Sequence, residues 1–346
     1  MRRRAKGLFH NPFAAFVAKK VVFYVVVAFV AMTFVFFITH LMPGNPVDRM
    51  ISSLSGISGQ AGGTNYLVLK AKLMEYFGLD KPLFDQYILF WRELFTLNLG
   101  PSYPINYPQS VMSMVMLRLP YTLAIVVPVL LLSFFLGNWI GAKAAYAGGK
   151  RSTLAYFFSV FSNRLPSFWF GMVLVFVFAA VLKVFPAYGI ATMGTIPNWS
   201  LSFFLDLLRH YSLPFLTLFI IYVGGWATGM RSMIIHEMDS GYVRYGEQLG
   251  FTKNKLMSYA ERNAILPQVT GLNLQFNALI GETAILEIIF GWPGIGKMMF
   301  DAVGADDYML LFGGFMVLMV VAILGNFLID ILYGFIDPRI RTGRGR

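Results

Sequence analysis

The 346-residue sequence contains no cysteine, four histidines, and 17 acidic residues set against 28 lysines and arginines. Without a thiol the chain forms no disulfide, holds no thiolate-bound metal and offers no cysteine nucleophile. His10, His40, His210 and His236 are isolated, fitting no i, i+4 metal pair and no nearby acid or base partnership. No convergent nucleophile and base for a membrane hydrolase can be located either, so no metal site and no catalytic residue is assigned. Charge is scarce too, at 13% of residues.

Apolar side chains fill the space those residues leave. At 57% hydrophobic, the chain has more of them than one soluble core could hide, and it belongs in a bilayer. The formal net charge of +11 does not point to nucleic acid, because the basic residues concentrate in short segments between apolar runs, as membrane topology requires.

Residues 1–20 carry Arg2, Arg3, Arg4, Lys6, Lys19 and Lys20 with no acidic residue, which predicts a cytoplasmic N-terminal segment. Leu8 to Phe16 reads as a short amphipathic piece lying along the inner interface. The run Val21 to Leu41 is long enough to span, since about 1.5 Å per residue covers a hydrocarbon core of roughly 30 Å. It exceeds a signal-peptide core and lacks a small-residue cleavage site, so it reads as a retained first helix. Residues 42–118 form one sizeable hydrophilic stretch, with a Gly/Ser-rich patch from Ser52 to Gly63, and read as an extracytoplasmic loop region.

The core follows at 121–336. A second helix is expected at Tyr121 to Ala142, then a basic cytoplasmic connector with Lys143, Lys150 and Arg151. A third runs from Leu154 to Leu182, with an interruption near Arg164, Leu165 and Pro166; Arg164 at membrane depth calls for a partner, a wet cavity or snorkelling to the inner surface. Residues 183–212 read as an outer connector. The fourth helix, Leu213 to Met230, contains Gly224 and Gly225, which allow another helix to approach closely. The fifth and sixth are placed at Gln268 to Phe290 and Met309 to Phe335. Residues 337–346 bring Arg339, Arg341, Arg344 and Arg346, a basic tail that places both ends inside. The expected fold is an all-α polytopic membrane protein with six transmembrane helices.

Residues 231–267, between the fourth and fifth helices, are polar and mostly basic. Tyr242 to Leu249 carries good helix formers, Gly250 supplies a positive-φ terminator, and Thr252 is placed to cap a second short helix ending near Pro267. Arg231, Arg244, Lys253, Lys255 and Arg262 put the segment on the cytoplasmic side.

Helix five is the odd span, because Asn273, Gln275, Asn277, Glu282 and Glu287 fall within its apolar run. Burying them in lipid is expensive, so they face protein or water. At about 100° per residue, Asn273, Asn277 and Glu287 share one stripe while Gln275 and Glu282 share the opposite one. One face is expected to line a translocation path and the other to meet a partner; the alternative is hydrogen bonding inside the bundle. Just beyond, Gly291 to Lys297 satisfies G-x-x-x-x-G-K, but the next residue is Met298 rather than a Ser or Thr that would hold Mg²⁺. The motif reads as a tight turn and not as a nucleotide site.

The basic segment resembles the cytoplasmic coupling loop of permease subunits in ATP-binding-cassette importers of the dipeptide/oligopeptide type. The matching residues are Tyr242, Val243 and Arg244, then Gly250, then Arg262, Asn263, Ala264, Leu266 and Pro267. Arg244, Tyr245 and Gly246 stand where the general signature has Glu-Ala-Ala, a departure from the pattern. Further matches follow in order: Pro43 to Val47; Gly78 to Leu83 with Gln86 and Tyr87; Leu99, Gly100, Ser102 and Tyr103; Arg118, Leu119, Pro120 and Thr122; Glu287 with Phe290 to Gly296; and Asp337 to Arg339. The resemblance covers about residue 20 to Arg341.

This resemblance implies that Arg244, Tyr245, Gly246, Glu247, Gly250, Phe251, Lys253 and Arg262 couple the chain to an ATPase. It further implies a homologous second permease, two cytoplasmic ATPases, an extracytoplasmic substrate-binding protein, and a prokaryotic inner membrane. ATP and Mg then belong to the partner ATPases, with no cofactor in this chain. Peptides are the implied cargo; oligosaccharides and, less readily, nickel are carried by the same branch. A stand-alone channel or secondary carrier, or a non-transporting scaffold, are the readings without an ATPase; neither an inverted repeat nor paired broken helices support a carrier.

Overall fold

The computed structural model describes residues 12–41, 47–48, 51, 64–76, 78–102, 109–146, 149–195, 198 and 200–336. The expectations on the N-terminal residues 1–11, the patch 52–63, the motif residues Pro43 to Pro46 and Tyr103, and the tail 337–346 lie outside the described residues. Among the described residues the regular structure is helical, apart from an isolated antiparallel bridge between Pro101 and Ser110.

In chain order the helices are α1 (Pro12–Leu41), α2 (Thr64–Tyr76), α3 (Leu83–Phe95), α4 (Val111–Tyr146), α5 (Lys150–Asn163), α6 (Ser167–Leu174), α7 (Leu201–Met238), α8 (Gly241–Gln248), α9 (Lys253–Ile289), α10 (Ile295–Gly304) and α11 (Tyr308–Ile336). A π-helical turn, Val175–Val181, prolongs α6. Among the described residues four helices, α1, α4, α7 and α11, are each long and apolar enough to cross a membrane, and α5 with α6 and its π turn supplies a fifth span if counted as one. Helix α9 is 37 residues long, about 55 Å at 1.5 Å per residue. Its polar residues keep it out of that apolar set.

Several boundaries depart from the sequence expectations. The first span begins at Pro12 rather than Val21, and Pro12 to Phe16 continue into α1 instead of forming a separate interfacial piece. Proline suits the first helical position, where its missing N–H costs nothing. Helix α4 begins ten residues before Tyr121 and runs through Pro120. Burial of Val111, Met114 and Val115 against Ile295, Met298 and Leu310 outweighs the proline penalty there. The third helix, by contrast, is interrupted where expected: its two halves meet at 105° across Arg164, Leu165 and Pro166. Pro166 offers no N–H and disfavours helical geometry at Leu165, so Arg164 caps α5 and is exposed at the break. Helix α7 starts at Leu201, within the expected connector, because the Ser200 hydroxyl caps the backbone N–H of Phe203 at 3.2 Å.

Two compact units divide the chain: Val22–Tyr121 with Pro293–Ile323, and Met1–Val21 with Thr122–Trp292 and Leu324–Arg346. In the first, Val111, Val115, Ile295, Met298 and Leu310 make the core. A second cluster packs Met32, Val35 and Met316 with Phe90 and Trp91, and the Phe29 and Trp91 rings stack at 5.1 Å. Motif residues Gly100 and Ser102 are tied in by bonds from Val111 N–H to the Gly100 carbonyl and from Ser102 N–H to the Gln109 carbonyl, both 2.9 Å.

The second unit is built around α7. A Cβ on Gly137 of α4 would sit 2.5 Å from the Cβ of Trp226, and one on Gly224 would collide with the Ser162 hydroxyl of α5. The expected close approach at Gly224 is therefore present, with glycine and serine setting the spacing. On another side, Trp226 packs with Val269 of α9, and Met230 and Ile234 pack with Ala264.

Candidate functional site

The elbow between α7 and α9 is closed by its own backbone. Gly250 has φ +78°, its N–H bonds the Glu247 carbonyl at 2.9 Å, and the Phe251 N–H reaches back to the Gly246 carbonyl at 3.0 Å. That pair of bonds is a Schellman motif, and only a residue at ease with positive φ completes it. Thr252 occupies the N-cap position of α9 in extended geometry, but its side chain makes no capping bond; the cap expected from its hydroxyl is absent. Its carbonyl instead accepts the first helical bonds, from Lys255 and Leu256.

The second short helix expected to end near Pro267 does not end there. Lys253 to Ile289 is one helix with Pro267 inside it. Proline interrupts one backbone bond, and burial of Ala260, Ala264, Gln268 and Val269 on either side of it holds the rod together across that gap. The second helix of the elbow and the helix expected at Gln268 to Phe290 are thus a single element.

Val243, Leu256 and Ala260 are 0%, 3% and 0% exposed and form the small core of the elbow. Gly246 is buried beside them: a Cβ there would lie 2.7 Å from Cδ2 of Leu256 and 3.3 Å from Cδ2 of Phe251. The departure from Glu-Ala-Ala thereby has a local cause, since Leu256 and Phe251 fill the space an alanine would need. Arg244, Tyr245, Glu247, Gly250, Lys253 and Arg262 are exposed, with Phe251 half-buried beneath the Lys255 ammonium at 4.1 Å. Tyr245 and Leu249 are 62% and 55% exposed, leaving an aromatic and an aliphatic side chain among the cations. The elbow is anchored by the Tyr242 hydroxyl, which donates to Glu237 at 2.7 Å, and by Tyr146 of α4, which donates to the Met257 carbonyl at 2.9 Å. Burial, with the Glu237 carboxylate beside it, raises the Tyr242 hydroxyl above its ordinary pKa. The Arg231 guanidinium lies over the Tyr156 ring at 4.2 Å.

The two polar stripes of α9 meet different surroundings. On the first, Asn273 donates to Asp330 of α11 at 2.8 Å, and Asp330 also pairs with Lys20 of α1 at 2.6 Å. Asn277 and Asn326 exchange amide bonds at 3.2 Å. Glu287 is 0% exposed and accepts the Thr122 hydroxyl at 2.7 Å. All three residues of this stripe bond within the chain. On the second stripe, Gln275 and Glu282 are half-buried, and the Ser167 hydroxyl is within hydrogen-bonding reach of Glu282.

Beyond α9 the chain turns at Gly291, φ +61°, and the Trp292 N–H returns to the Glu287 carbonyl at 2.9 Å. Lys297, the lysine of the G-x-x-x-x-G-K string, sits in the first turn of α10 and pairs with Asp301 at 2.8 Å. No strand precedes this turn, which follows a helix directly.

Sequence reasoning did not single out Lys20, Tyr146, Ser167, Tyr222, Asn326 or Asp330 as parts of this site. Asp330 was the findable one: a lone acid in an apolar run demands a partner, and Lys20 is the basic residue at the same end of the first span.

Residues 133–342 match the family model described as the binding-protein-dependent transport system inner membrane component. The chain is 29% identical over 348 residues to the di/tripeptide transport system permease protein DppB of Pseudomonas aeruginosa strain UCBPP-PA14, covering 95% of this chain and 99% of that one. It is 28% identical to the oligopeptide transport system permease protein AppB of Bacillus subtilis strain 168, over 88% of this chain and 92% of the relative. It is 30% identical to the dipeptide transport system permease protein DppB of Alkalihalophilus pseudofirmus, over 90% and 95%.

Proposed function

Because this chain belongs to the family of binding-protein-dependent transport system inner membrane components, we infer that it is the permease subunit of an ATP-driven importer and forms half of a pathway for peptides. It is a transport subunit rather than an enzyme. Peptide cargo follows from relatives named for di-, tri- and oligopeptide transport.

The observation that carries the mechanism is the continuity of α9. An elbow with exposed Arg244, Tyr245, Leu249 and Lys253 is fused to a rod of about 55 Å. Force applied at the elbow by a cytoplasmic ATPase is delivered along that rod as a rigid-body movement. In this reading α9 is the sixth span, tolerated at membrane depth because the residues of its first polar stripe hydrogen-bond within the chain. Gln275 and Glu282 face the path, while Asn273, Asn277 and Glu287 fasten the rod to α11 and α4. Both ends of the chain are cytoplasmic, and residues 42–118 face a binding protein outside an inner membrane. A homologous second permease completes the pathway, and two ATPases supply ATP and Mg.

Reconstituting the chain with its partner subunits and binding protein tests this. Uptake of labelled dipeptide that requires ATP inside and the binding protein outside is expected. Uptake by this chain alone, driven by an ion gradient, would contradict it.

A further inference from the structure

Glu282 lies half-buried on α9, next to the buried Thr283 and one turn before the buried Leu286, whose Cδ2 lies 3.1 Å from the point that a Cβ on Gly171 of α6 would occupy. The Ser167 hydroxyl, at the first residue of α6, engages its carboxylate. Its Oε2 is buried and has no hydrogen-bond partner, and among the described residues no other carboxylate oxygen is left in that state. The Tyr222 hydroxyl on α7, the helix whose Trp226 packs against Gly271 of α9, is likewise buried without a partner. Asp330, the acid of α11, already has its Lys20.

An open carboxyl oxygen at membrane depth is costly unless something arrives to complete it. Two open acceptors, one of them on a carboxyl group that ionises beside a cation, suit a ligand that carries several N–H donors. A guanidinium would need both carboxylate oxygens for its fork, and Ser167 engages this carboxylate already. A primary ammonium is a point charge with three donors and fits what remains. Every peptide with a free N-terminus carries one, whatever its side chains, so a subsite keyed to it accepts the whole class.

We propose that Glu282, with Tyr222, forms a subsite for the α-ammonium group of a peptide moving along the second polar stripe of α9. The proposal rests on the reading of the chain as a peptide permease.

The test uses the complete complex arrested with vanadate, which is offered a radiolabelled dipeptide or its N-acetylated form directly, without the binding protein. The wild-type complex is expected to retain the free-amine form at least tenfold better. Glu282→Gln should abolish that preference by lowering retention of the free amine alone, and Glu282→Asp should keep part of it. Tyr222→Phe should weaken it while leaving assembly, read by gel filtration, unchanged. Retention of both forms alike by the wild type, or of neither, overturns the proposal, as does an equal loss of both forms in Glu282→Gln. A wild-type complex that also fails to import any peptide with its binding protein present would instead sink the peptide-permease reading.

Discussion

Cδ2 of Leu256 lies 2.7 Å from the point that a Cβ on Gly246 would occupy, so the first helix of the elbow rests on the second with no room for a side chain. Gly246→Val should therefore push the two apart, costing about 1–3 kcal/mol by overpacking. The expected result is peptide-stimulated ATPase activity cut severalfold with normal membrane insertion. Adding Leu256→Ala to the same chain should restore part of the activity by opening the space. No recovery in the double variant would show that Gly246 matters for some other reason.

Gly250 presents the opposite case, since nothing lies within 4 Å of its would-be Cβ and its φ is +78°. A β-branched residue is refused there by backbone strain alone, at about 1–2 kcal/mol. Gly250→Val should reduce transport, and Gly250→Asn should be the mildest replacement because Asn tolerates the left-handed region. Unaltered substrate-stimulated ATPase activity in reconstituted Gly250→Val would count against the elbow as a rigid coupling element.

Thr122 and Glu287 form a fully buried bond between α4 and α9. Removing the hydroxyl leaves a carboxylate oxygen short of a donor, a loss of about 1.5–3 kcal/mol for a bond to a charged group. Thr122→Val should lower the melting temperature of the purified complex, whereas Thr122→Ser should not. Equal melting of Val and Ser variants would remove this bond from the account.

Asp307 is buried ahead of α11, where it accepts the Ser102 hydroxyl and the Leu310 N–H. Burial raises its carboxyl above the ordinary value, more than those two bonds lower it. A raised folded value means the folded chain holds this proton more tightly than the unfolded one. The stability it contributes is present below the unfolded pKa of about 3.9 and is lost as pH rises through the folded value. Asp307→Asn retains an acceptor for Leu310 without the charge, so its melting should vary less with pH over that window than the wild type's. Asp307→Ala should be weaker than Asn by about 1 kcal/mol at every pH, having lost the cap. Matching pH profiles for wild type and Asn would refute the assignment.

Much of this architecture was legible in advance. Long apolar runs marked α1 and α11, Gly224 marked a close helix contact, and Gly250 marked the turn of the elbow. Helix ends were less legible because proline carries one local meaning and tertiary burial another. Pro120, Pro214 and Pro267 all sit inside helices, while Pro166 stands at a 105° bend. Local chemistry does not separate these cases; the packing on either side does. The polar residues of α9 could be assigned to two stripes from spacing alone. Which stripe is satisfied inside the chain depended on Asp330 and Asn326, some fifty residues away, and on Thr122, 165 residues away.

In the proposed function the elbow receives work from a separate ATPase. The chain has no cysteine of its own, so Tyr245→Cys introduces a single thiol on the exposed face of α8. A short thiol-reactive crosslinker applied to native membranes should join that thiol to a cytoplasmic nucleotide hydrolase, with a yield that changes when ATP is trapped. Crosslinks to lipid or to other copies of this chain alone, with no hydrolase captured from Tyr245→Cys or Lys253→Cys, would contradict the account.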